Sequence, residues 1–138
     1  MAIRDQRRVL LFLWFGGFAS LLVYIYALYL ADWIGPESFA GALSTLSAAF
    51  GPYLGAMLTF FWTAAAPAKK AGPDPKTAWA AALCGSALWI ASVAALLLQP
   101  LLGHVSMEET LPRIVSTTAF LSWIVAGAIG YYFAASQK

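Results

Sequence analysis

VLLFLWFGGFASLLVYIYALYLA, residues Val9 to Ala31, runs for 23 residues without a charge. An α-helix needs roughly 20 apolar residues to cross about 30 Å of hydrocarbon, so this stretch alone can span a bilayer. Three more follow: Phe39 to Ala68, Thr77 to Met107 and Ile114 to Gln137, uncharged over 30, 31 and 24 residues. The chain reads as an all-α membrane protein, one integral membrane domain over residues 1–138 with the lipid bilayer as its first partner. What lies between the stretches is too short for a separate soluble core.

Composition and charge narrow the classes further. The chain is 62% hydrophobic and only 10% charged, and its net charge of +2 is scattered, so it lacks the clustered Lys and Arg of a nucleic-acid surface. Arg4, Arg7 and Arg8 precede the first stretch as in a signal peptide, but the run is long and no small-x-small pattern closes it before Asp32, so a retained helix is expected. Cys84 is the single cysteine, and its place inside the third stretch predicts a buried, inert thiol.

Orientation follows from the basic residues. Arg4, Arg7, Arg8, Lys69, Lys70, Lys76 and Lys138 fall on one side of a four-span arrangement and only Arg113 on the other, which places both termini in the cytoplasm and the chain in an inner or plasma membrane. Trp14, Trp62, Trp79, Tyr131 and Tyr132 then belong to the inner aromatic belt, and Tyr26, Tyr29 and Trp33 to the outer one. Trp89 and Trp123 fall deeper, between helices or against lipid.

Punctuation sets the helix ends. Gly35-Pro36 closes the first helix, Pro67 and Gly72-Pro73 the second, and Pro100 the third, giving helices over 6–31, 39–66, 75–99 and 112–136. Asp74-Pro75 is an N-cap and first-turn pair. Ser106 and Glu109 have capping-box spacing, which predicts a short surface helix before Pro112 opens the last span. Short connections force antiparallel neighbours, hence an up-down-up-down bundle. At an offset of 72, Ser44-Thr45 pairs with Ser116-Thr117, Gly55-Ala56 with Gly127-Ala128 and Phe61 with Phe133. That similarity suggests two repeated hairpins related by an axis along the membrane normal.

Small residues recur every four positions in two helices. Helix 2 carries Ser47, Gly51, Gly55, Thr59 and Thr63, and helix 4 carries Thr118, Ser122, Ala126, Gly130 and Ala134. Residues four apart share a face, and small ones let another backbone approach where apolar burial gives no drive within lipid. These faces are expected either to pack helices or, through their hydroxyls, to line a narrow oligomeric pore. Pro52 lies inside the Gly51-to-Gly55 segment and removes the hydrogen bond to the Ala48 carbonyl, which predicts a kink or break.

No Asp, Glu, Lys or Arg lies within the stretches, which argues against proton coupling or voltage sensing. His104 is the single histidine, too little for haem ligation within one chain, and no cofactor is expected. There is no nucleophile–histidine set, phosphate loop or zinc spacing, so a catalytic role is not expected. Glu108 and Glu109 are adjacent on the outer side, where an acidic ring could attract cations. In size and helix number the chain resembles small multidrug exporters, but the membrane-embedded Glu such families carry in helix 1 is missing. It also resembles small fluoride channels and lipid-linked-sugar flippases in plan, without their Asn and Arg motifs. The sequence therefore supports a non-enzymatic, self-associating membrane protein, possible as a channel or permeabilising assembly. The alternatives are an accessory subunit docking on a membrane-protein partner and a carrier of a neutral or lipid-like solute.

Overall fold

A computed structural model describes residues 3–62, 75–103 and 105–135. Four helices account for nearly all of them: α1 (Ile3–Leu30), α2 (Pro36–Trp62), α3 (Pro75–Leu98) and α4 (Met107–Ala135). The all-α bundle is as the sequence implies. Three helices, α1, α3 and α4, contain segments long and apolar enough to cross a membrane. The 27-residue α2 is not among them, because Gly, Ser, Thr and Pro dilute its apolar content without adding charge.

The turns explain the helix ends. After α1, Trp33 N–H donates to the Leu28 carbonyl at 2.9 Å and Asp32 N–H to the Tyr29 carbonyl at 3.1 Å. These are the paired bonds of a Schellman cap, and Asp32 takes the left-handed position with φ 57°. The chain then re-enters helix at Pro36, whose missing N–H costs nothing in a first turn. At α4 the sequence reading needs correction. Ser106 does cap, receiving Glu109 N–H on its hydroxyl at 3.3 Å, but the helix it starts is α4 itself, not a separate surface turn. Pro112 sits inside this continuous helix. Nor does Pro52 break α2, which stays helical from Pro36 through Trp62. His104, Thr63 and the Pro67-to-Pro73 segment lie outside the described residues.

The order of helices around the bundle is α1-α2-α4-α3. α1 packs on α2 and α3, and α4 packs on α3 and α2, while the diagonal pairs bring no backbone within 8 Å among the described residues. This corrects the repeat reading. A two-fold along the membrane normal would place α1 opposite α3 and α2 opposite α4, whereas here those pairs are neighbours. The most extensive approach is between α3 and α4, where Gly85 of α3 faces Val125 and Ala128 of α4.

An aromatic cluster fills the centre. Trp14 stacks on Tyr53 at 4.6 Å and meets Trp89 at 5.1 Å and Phe50 at 5.6 Å, with Phe50 edge-on to Trp89 at 4.8 Å. Trp14 Nε1 donates to Ser86 Oγ at 2.9 Å, which satisfies the indole where water is absent. Trp14 is therefore core, not an inner interface anchor as its sequence position suggests. Tyr132 is corrected likewise: it is fully buried against Trp79 and Phe133. Tyr26, Tyr29 and Trp33 are exposed at the end of the bundle that carries the α1–α2 turn. Cys84 is exposed on the outside of the bundle, not buried within it.

Candidate functional site: the groove between α2 and α4

Where α2 and α4 run side by side, a groove of about 560 Å³ opens between them. Its α2 wall is Thr45, Ala48, Ala49, Pro52, Tyr53 and Ala56, and its α4 wall includes Thr118, Ala119, Ser122, Ala126 and Gly130. The two helices touch along the floor, where Tyr53 Oη donates to the Ser122 carbonyl at 3.0 Å. Tyr53 is held there by the Trp14 ring behind it. Above that floor, the small side chains of Ala48, Pro52, Ala56, Ala119, Ala126 and Gly130 leave the groove open.

The hydroxyls in the α4 wall do not point a donor into it. Thr118 Oγ1 donates to the Ile114 carbonyl at 2.8 Å, and Ser122 Oγ donates to the Thr118 carbonyl, each within its own helix. The groove is therefore apolar in effect despite its Ser and Thr. Pro52 places beside it the Ala48 carbonyl to which it cannot donate.

Toward the start of α2 and α4 the groove continues into a second space of about 470 Å³, lined by Glu37, Ser38, Thr45, Glu108, Leu111, Pro112 and Val115. Thr45 and Val115 belong to both. Glu37 and Glu108 are exposed at this mouth, and Ser38 Oγ donates to Glu108 Oε1 at 3.5 Å. Glu109 is exposed but does not line it. Nearby in sequence, Arg113 donates to Gln99 Oε1 at 3.4 Å.

The two small-residue stripes of the sequence do not meet. On α4, Thr118, Ser122, Ala126 and Gly130 all line the groove. On α2, Ser47, Gly51, Gly55 and Thr59 are exposed on a face turned away from the bundle, and Thr59 Oγ1 donates back to the Gly55 carbonyl at 2.9 Å. At about 100° per residue, that face lies roughly a third of a turn from the groove wall. A Cβ added at Gly51, Gly55 or Gly130 would meet no atom within 4 Å.

The glycines that bring helices together are others. A Cβ at Gly17 would come to 3.0 Å from Ile90 Cγ2, and one at Gly41 to 3.0 Å from Leu111 Cδ1. The sequence reading missed both, and it missed the Ala78, Ala82, Ser86 stripe on α3, although that stripe has the same four-residue spacing. An Ala-rich helix hides such a stripe, because small residues occur on all its faces. Among the described residues, no three His, Cys, Asp or Glu side chains converge on a possible metal site. No known protein family, curated protein or solved structure matches this chain.

Proposed function

We propose that this chain is a non-enzymatic membrane protein that self-associates through the outward face of α2. One observation carries the reading. From Ala40 to Thr59 that face exposes only Ala40, Ser44, Ser47, Gly51, Gly55 and Thr59, the exposed Ala48, Pro52 and Ala56 being turned to the groove. By contrast, α1 presents Phe12, Val23 and Leu30 and α4 presents Phe120, Trp123 and Ile124 to the surroundings, and the alanine-rich outer face of α3 is interrupted by Leu88 and Leu98. Lipid solvates bulky side chains well, but a flat strip of small ones gains far more from another helix backbone, through dispersion contacts that lipid tails make less well. The strip carries no charge, so two copies meet without repulsion. The Gly51-to-Gly55 spacing is that of close helix pairs.

The open space at Gly51 and Gly55 makes the test selective. Gly51→Leu with Gly55→Leu should leave the single chain folded, with its melting temperature unchanged under dissociating conditions. The same variant should shift purified protein from oligomer to monomer in light scattering or in a subunit-exchange assay. Wild type that is monomeric at every protein-to-lipid ratio would transfer this face to a different membrane-protein partner and end the self-association reading. A conducting pore gains no support from the groove, because the Thr118 and Ser122 hydroxyls donate within α4.

Membrane placement belongs to the same proposal: a cytoplasmic membrane with both termini inside. With Cys84→Ala as background, a cysteine replacing Leu102 should react with an impermeant thiol reagent in intact cells, and one replacing Gly72 should react only after lysis. Labelling of both from the same side would discard this topology.

A further inference from the structure

The α2–α4 groove has two features that together specify a ligand class. Its body is mainly apolar, because most of its side chains are aliphatic and the hydroxyls of Tyr53, Thr118 and Ser122 already donate to backbone carbonyls of α4. Water or a sugar would find few partners there. Its volume of about 560 Å³ is that of a small-molecule pocket. A helix about 10 Å across does not fit between two helices that touch, as α2 and α4 do through Tyr53 and Ser122. The mouth, by contrast, is acidic: Glu37 and Glu108 both line it, and Arg113 donates instead to Gln99.

We propose that this groove binds a long-chain amphiphile with a cationic amine head. The chain lies along Ala48, Pro52, Ala119 and Ala126, and the head sits between the carboxylates of Glu37 and Glu108. Thr45 and Val115, shared by the two spaces, form the passage from chain to head. An apolar body fixes the tail chemistry and the carboxylates fix the sign of the head, so anionic and uncharged amphiphiles of equal length are disfavoured by charge alone. The groove is a different surface from the outward strip of α2, and this binding does not depend on self-association.

The test uses the full chain in phosphatidylcholine nanodiscs at low ionic strength, with spin-labelled octadecylamine and spin-labelled octadecanol as probes of equal chain length. The motionally restricted fraction measures occupancy. The amine should be preferred by about fivefold, the order that exposed ion pairs supply. Salt should reduce the preference, because charges at the mouth are screened. Glu37→Gln with Glu108→Gln should abolish the preference while leaving the octadecanol signal unchanged. Ala126→Trp should reduce both signals by filling the groove, and Ala119→Trp serves if the first variant does not fold. Equal restriction of the two probes by wild type, or a preference that survives the double Gln variant, would overturn the head assignment. Restriction unaffected by either Trp variant would overturn the site. A disulfide between copies through Ala126→Cys in a Cys84→Ala background would give the groove to a second copy and overturn the proposal as well.

Discussion

Trp14→Ala should lower the stability of the folded chain by about 3–5 kcal/mol, the range for truncating a large aromatic in a close-packed core. The indole is fully buried and contacts Phe50, Tyr53 and Trp89, which come from two other helices. Removing it leaves a cavity where α1, α2 and α3 meet through aromatic rings. It also strips the Ser86 hydroxyl of its indole donor and frees Tyr53 to leave the Ser122 carbonyl, so the α2–α4 groove should loosen. Trp14→Phe should cost less, because most of the apolar contact is kept and chiefly the hydrogen bond is lost, at about 0.5–1.5 kcal/mol. Trp123, at 68% exposure, supplies the control: Trp123→Ala should change stability by no more than about 0.5 kcal/mol. Reversible unfolding of the three variants in mixed micelles checks the series. Equal, small losses for Trp14→Ala and Trp123→Ala would place Trp14 at the bilayer surface instead.

Gly17→Leu and Gly41→Leu should each cost about 1–3 kcal/mol, the usual penalty for overpacking. At both positions even a Cβ would approach a neighbouring side chain to 3.0 Å, so the rest of a leucine has to displace Ile90 or Leu111. The losses should be recoverable by shortening the obstructing side chain. Ile90→Ala in the Gly17→Leu background and Leu111→Ala in the Gly41→Leu background should each be milder than the single changes predict, with a coupling of about 0.5–3 kcal/mol. Additive losses in both double variants would mean that the helices do not approach at these glycines. Gly55→Leu, where the chain itself offers no obstruction, should behave differently: chain stability should hold while association changes. The contrast separates packing inside the bundle from packing between bundles.

Much of the architecture was legible in the residues, and the reason is specific to membranes. A helix that crosses hydrocarbon must be long and must satisfy its backbone internally, so an uncharged stretch the length of Val9 to Ala31 leaves almost no alternative. Ser106 was legible as a cap because a hydroxyl three residues before Glu109 can reach an otherwise unpaired N–H. Its helix was misjudged as separate because Pro112 looked like a start, although a proline inside a helix forfeits only one hydrogen bond.

Faces were far less legible than helices. In water, an apolar stripe marks the buried side of a helix, but here lipid and core are equally apolar, so Trp14 in the core and Trp123 on the surface look alike in sequence. The same ambiguity sent the α2 stripe to the bundle interior when it faces outward, and left unnoticed the buried Ala78, Ala82 and Ser86 of α3. By itself the sequence determined the class, the number of helices, their approximate ends and the absence of charge within the spans. Only the tertiary structure decided the α1-α2-α4-α3 order, which small residues lie against a neighbour, and that Glu37 and Glu108, 71 positions apart in the chain, share one mouth. Those facts depend on side-chain fit between helices, a pairwise property that no single helix carries in its own pattern.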